Sequence, residues 1–172
     1  FSNLAIHESV YRELVAETVK TYADKRQQEK QSRLRIYTDE ELDETEQALM
    51  QAYIFKIARY SQYIPERDNA KDRGEVKSLS FMAVKNFMYF AANDTLPINL
   101  IRKADELHTG LDEMELLEMY DVIYYLYSQG KYSTDGLRLL YKYEYYLTKQ
   151  EKKVNPCWGD FIEKMENLYG RD

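Results

Sequence analysis

Apolar residues recur every three or four positions along most of this chain, and the polar stretches between them are short. Only six glycines and three prolines interrupt the pattern. The spacing predicts a first helix over about residues 3–33, with Leu4, Val10, Leu14 and Val15 on its apolar side. Its later part, KRQQEKQSRLR, has no apolar stripe and is expected to extend into solvent. Thr38 and Glu41 have capping-box spacing, and the acids of DEELDE suit the positive end of a helix dipole. A second helix is therefore expected from about 39 to Pro65, followed by a polar loop, PERDNAKDRGEVK.

A third helix is expected at about 78–92, and a fourth with Pro97 in its first turn, closed by Gly110. Asp112 and Glu115 repeat the capping-box spacing ahead of a fifth helix that ends near Gly130. Ser133 is placed to cap a sixth helix, to about Lys152, and Asn155-Pro156 opens a seventh that ends near Gly170. Seven helices and no strand make an all-α chain, read as a single domain over 1–172. The segment FMAVKNFMYFAANDTLPINLIRKADEL aligns with MYDVIYYLYSQGKYSTDGLRLLYKYEYYL at a shift of about 36 residues. Phe87, Met88 and Phe90 then fall over Ile123, Tyr124 and Leu126, and Ile101 over Leu137. Helix-turn-helix hairpins of this kind bury their apolar faces by stacking, as in a short α-solenoid.

Composition narrows the class. The chain is 44% apolar and 31% charged, as a folded domain is, and no apolar run approaches the roughly 18 residues that span a bilayer. Cys157 is the sole thiol, which excludes an intrachain disulfide and suits a reducing compartment. A formal charge of −6 argues against tight nucleic-acid binding by the whole surface. The Phe-Ser start is what clipping of a mitochondrial presequence after an arginine would leave.

The segment from Tyr120 to Leu147 holds nine of the seventeen tyrosines. It resembles a pentatricopeptide repeat: Tyr120 leads the first helix, Gly130 lies at the turn, and Gly136 opens the second helix ahead of Leu137 and Leu140. The earlier segment departs from that pattern, with Val84 in place of the tyrosine and Asp94 in place of the glycine. Tetratricopeptide repeats share much of the outline, and the likeness covers about 70 residues. Its seven expected helices, acidic balance and degenerate hairpins make the whole chain similar to the pentatricopeptide-like extra subunits on the catalytic head of mitochondrial ATP synthase in euglenozoan protists. That resemblance implies a non-catalytic subunit docked on the head's alpha subunits, in the matrix and peripheral to the inner membrane. It implies no cofactor and no direct insertion into the bilayer.

Many pentatricopeptide proteins instead bind single-stranded RNA, reading bases through polar residues of each first helix. Here those positions are Asn86 and Val122, and valine cannot hydrogen-bond a base edge. The basic run Lys25, Arg26, Lys30, Arg33 and Arg35 offers phosphate contacts or a meeting with an acidic partner. An organellar RNA-binding repeat protein is the alternative reading.

Catalytic patterns are sparse. There is no glycine-rich phosphate loop. Asp105 and His108 have metal-ligand spacing without a second pair, and Arg102 with His108 matches a loose helical-RNase spacing. Cys157 stands at an expected helix N-terminus, where a thiol can be activated, but no base accompanies it. DEMELLE reads as an acidic helix start, and no catalytic, cofactor or metal residue is assigned. Tyrosine suits both hairpin packing and protein interfaces, because it buries a ring and keeps a polar tip. Trp158 and Phe161 are expected to anchor the last helix. Tyr124, Tyr127, Tyr145 and Trp158 are the candidate partner-binding residues.

Overall fold

The computed structural model describes residues 4–29, 33–148 and 156–170. The chain is mostly helical and divides into two compact units, one of residues 1–90 with 94–116 and the other of 91–93 with 117–172. The expected ends at Asn3, Lys152 and Asn155 lie outside the described residues, as does Lys30.

In the first unit the single helix expected over 3–33 is replaced by β1 (Leu4–His7), α1 (Glu8–Arg12), α2 (Glu17–Gln28) and β2 (Leu34–Tyr37). β1 and β2 pair in parallel, Leu4 against Leu34 through His7 against Tyr37. A parallel pair needs a crossover, which α1 and α2 supply. Four-residue strands joined across some thirty residues leave no periodic signature, so the expectation of no strand is corrected here. The break between α1 and α2 also has a tertiary cause. Glu13, directly after α1, accepts a hydrogen bond from the Gly74 backbone N–H at the start of another helix.

That helix is α4 (Arg73–Val84), and the unit is arranged around it. α4 contacts β1, α1, α3 (Glu44–Ala58) and α5 (Thr95–Arg102). Gly74, Val76, Ser78, Leu79, Ser80, Phe81 and Val84 are all buried, so it has no amphipathic stripe. α3 turns Met50, Ile54 and Ile57 inward. The Thr38–Glu41 box is present, with the Thr38 N–H donating to Glu41, but it caps only a 3-10 turn at Asp39–Glu41. α3 starts at a second box, in which the Glu46 N–H donates to Asp43 (2.8 Å) and the Asp43 N–H to Glu46 (3.1 Å). Lys85, just past α4, reaches Glu46 at 2.7 Å and holds its carboxyl below the usual range.

The polar loop after Pro65 is ordered by its own side chains. The Tyr63 hydroxyl donates to Asp68 (2.7 Å), the Ile64 N–H to Asn69 (2.6 Å) and the Gln62 N–H to Asp72 (2.7 Å). Asp68 and Asp72 take left-handed backbone angles, which aspartate tolerates. α4 then begins five residues ahead of the expected position and stops at Val84. Residues 89–91 form a strand, β3, not a helical turn. The chain continues through α5, which contains Pro97, and α6 (Ala104–Leu107). It then turns at Gly110, where φ is +79° and an added Cβ would stand 2.9 Å from the Tyr53 ring.

β3 pairs with β4 (Glu115–Leu117). The Glu115 N–H donates to Met88 within the first unit, and the Ala92 N–H to Leu117 within the second. Glu115 is thus a strand residue. The box that opens the next helix is Glu118 with Asp121, not Asp112 with Glu115 (2.7 Å from the Glu118 N–H to Asp121). The second unit comprises α7 (Met119–Ser128), α8 (Thr134–Thr148) and α9 (Trp158–Tyr169), with Ser133 directly ahead of α8. α7 and α8 form the expected hairpin with Gly130 at its turn, in a left-handed conformation. Phe87 and Met88 lie in the link ahead of β3 and Phe90 in β3 itself, whereas Ile123, Tyr124 and Leu126 are helical. The two aligned segments therefore do not share one structure.

Leu79 has no exposed surface. Leu79→Ala should cost about 2–5 kcal/mol in denaturant unfolding. Val15→Ala, at a side chain left almost wholly in solvent, should stay within about 0.5 kcal/mol of wild type.

Candidate functional site

The four candidate partner residues all come together in the second unit. Ile123, Leu137, Tyr141, Phe161, Ile162 and Met165 are its buried core, and Tyr124, Tyr127, Tyr145 and Trp158 pack half-buried against it. α7 turns Tyr120, Tyr124 and Tyr127 to one side, as their spacing predicts. Tyr120 meets Phe161 at 6.0 Å, Tyr124 stacks on Tyr169 at 6.0 Å, and Tyr127 meets Trp158 edge-on at 5.7 Å. On α8, Tyr141 stacks on Phe161 at 4.3 Å and lies 6.3 Å from Tyr145. Burial holds the Tyr141 phenol above its ordinary pKa. The tyrosine cluster is thus chiefly the unit's interior. The Tyr169 hydroxyl donates to Asp121 (2.7 Å), the same carboxylate that closes the α7 box.

The outward aromatic and aliphatic surface is made by other residues. Tyr125, Tyr132, Leu139, Tyr143, Leu168 and Tyr169 are exposed. Helical geometry could have found two of them. With Leu137, Tyr141 and Glu144 inward, Leu139 and Tyr143 must point the opposite way, one turn apart. Beside them a shallow groove of about 270 Å³ runs between α8 and the start of α9, with Arg138, Leu139, Lys142, Pro156 and Trp158 among its walls. An open groove of this size suits an inserted side chain better than an enclosed small molecule.

Glu144 is a buried carboxylate in the same unit, and it is hydrogen-bonded to Asn93. Asn93 also accepts the Met119 N–H at the start of α7 (3.1 Å). Burial raises the Glu144 pKa, against the opposing pull of Asn93.

His7 is buried between Ser9 (Nδ1 to Oγ, 2.7 Å) and Asp39 (Nε2 to Oδ1, 3.0 Å), beneath the Phe81 ring. Its Nδ1 also caps α1 by accepting the Ser9 backbone N–H. This row of serine, histidine and aspartate ties β1 to the turn after β2. Ser9 itself is buried. His108 is exposed and ends α6 in a left-handed conformation, with Asp105 and Arg102 also exposed. Cys157 is exposed at the N-cap position of α9. Of the basic run, Arg26 pairs with Glu29 (3.1 Å) and Arg35 with Glu41. Asn86 sits in a left-handed turn after α4 and not on a helix, so the two proposed base-reading positions are not equivalent. Among the described residues no cluster of histidine, cysteine or carboxylates could hold a metal ion, and no helix is long and apolar enough to cross a membrane.

Comparison with known proteins finds no matching family model, no similar curated protein and no similar solved structure.

A carboxyl group whose pKa is raised on folding weakens the fold as pH climbs from the unfolded value, about 4.3, through the folded one. Glu144→Gln keeps a hydrogen-bonding partner for Asn93 and removes that loss. The variant should melt higher than wild type at pH 7, and the gap should close as pH falls below about 4, in thermal unfolding followed by circular dichroism.

Proposed function

We propose that this chain is a non-catalytic structural accessory subunit of a multi-subunit complex, docked on the alpha subunits of the mitochondrial ATP synthase catalytic head. The observation that carries the reading is the α7–α8 hairpin, the segment that resembles a pentatricopeptide repeat. Its tyrosines and leucines divide between a packed interior and an outward apolar surface. Buried rings make such a unit rigid, and exposed rings and leucines let it bind another protein at little entropic cost. In this reading the hairpin represents the helical solenoid, the site of action is the matrix face of the inner membrane, and the chemistry belongs to the partner subunits.

The test is mass spectrometry of the complex that co-purifies with a tagged copy from its native cells, with and without RNase. Recovery of ATP synthase head subunits, alpha included and unchanged by RNase, is the expected result. A free monomer, or partners that RNase removes, would overturn the proposal, and the second outcome would put RNA binding in its place.

A further inference from the structure

We propose that residues 13–16 are a hinge through which β1 and α1 exchange between two copies of this chain, giving a domain-swapped dimer. From Glu8 to Glu29 the sequence has no glycine, proline or asparagine, and its periodicity predicts one unbroken helix. The fold instead divides it into α1 and α2 across Glu13, Leu14, Val15 and Ala16, residues that carry no turn chemistry. Locally the bend is unfavourable. Ala16 gives α2 no side-chain cap, and Val15 stands 95% exposed. The bend is held by contacts from farther along the chain: Glu13 accepts the Gly74 N–H, and the Tyr11 hydroxyl donates to Asp24.

Straightening the hinge joins α1 and α2 into one helix over 8–28, in which the N–H groups of residues 15–18 find the carbonyls of 11–14. It also pulls β1 and α1 off their own body, where they pack on β2 and α4 and where His7 and Ser9 are buried. A monomer has nothing to put in that place. A second copy carries the same segment, so exchange remakes the β1–β2 pairing and the α1–α4 packing between chains and keeps the gain at the hinge. The straight helix adds a contact that only the dimer has. Val15, Val19 and Tyr22 fall on one face of it at i, i+4 and i+7, and they are 95%, 48% and 59% exposed in the bent chain. Two such helices cover one another there.

The purified chain would be unfolded in urea, refolded at high and at low concentration, and its mass measured by light scattering after gel filtration. A two-chain species is expected after refolding at high concentration, persisting on dilution because β1 and α1 must be released before it dissociates. Ala16→Pro is the decisive variant. The φ of −72° at Ala16 suits proline in the bent chain, whereas proline inside a continuous helix removes a hydrogen bond. The dimer fraction should therefore fall by about tenfold or more, with the monomer fold retained. Removing Leu14, Val15 and Ala16 leaves no slack for the bend and should make the dimer the sole folded form. Spin labels at Arg12 and Lys25 in a Cys157→Ser background, diluted with unlabelled chain, should lie roughly 20 Å apart along the straight helix of the dimer. They should lie closer in the monomer, where Tyr11 touches Asp24. Should the shortened chain fail to fold, Ala16→Pro and the label distance still decide. A wild-type chain that refolds only as a monomer at every concentration, a dimer undiminished by Ala16→Pro, or a dimer with the monomer's label distance would overturn the inference. The chain is tested alone, so each result is independent of whether a tagged copy recovers ATP synthase.

Discussion

α4 has hardly any side left for solvent, and the first unit is organised by that fact. A helix buried on nearly every side needs neighbours on nearly every side, and β1, α1, α3 and α5 supply them. Its ends are secured from outside. Glu13 accepts the Gly74 N–H at its N-terminus, where Asp72 provides no side-chain cap, and Lys85 past its C-terminus is held by Glu46. Phe81 then fixes the sheet end of the unit, since its ring lies 5.0 Å from His7 and 5.5 Å from Tyr37, the last paired residues of the two strands.

The second unit solves the same problem with rings. Three helices offer few positions for a core, and wide aromatic side chains fill the space with fewer residues than aliphatic ones would need. Tyr141 and Phe161 stack at its centre, and Trp158 with Tyr120, Tyr124 and Tyr127 of α7 packs around them. Because the rings meet edge-on or tilted as well as stacked, each restricts the rotation of the next.

Legibility in the sequence varied with how local the cause was. The hairpin of α7 and α8, its turn at Gly130 and the start of α8 after Ser133 follow from spacing and turn chemistry within a few residues. The α3 start was displaced because two capping boxes occur in succession: both form, but Thr38–Glu41 opens only a 3-10 turn and Asp43–Glu46 opens the helix. Glu115 was misplaced for a similar reason. Asp112 and Glu115 have cap spacing, yet the Glu115 N–H is taken by Met88 from a distant stretch. The candidate residues Tyr124, Tyr127, Tyr145 and Trp158 lie half-buried against one core, each held by rings brought in from other stretches of chain.

The sequence by itself determined the helical class and the tyrosine hairpin, since periodicity and turn chemistry act within a turn or two of chain. Tertiary structure decided the strands, the break in the first helical stretch and which rings face solvent. Each of these depends on a partner far away in sequence: Leu34 for Leu4, Gly74 for Glu13, Phe161 for Tyr120. No local pattern encodes such a partner, because the free energy that selects it appears only when both segments are already in contact.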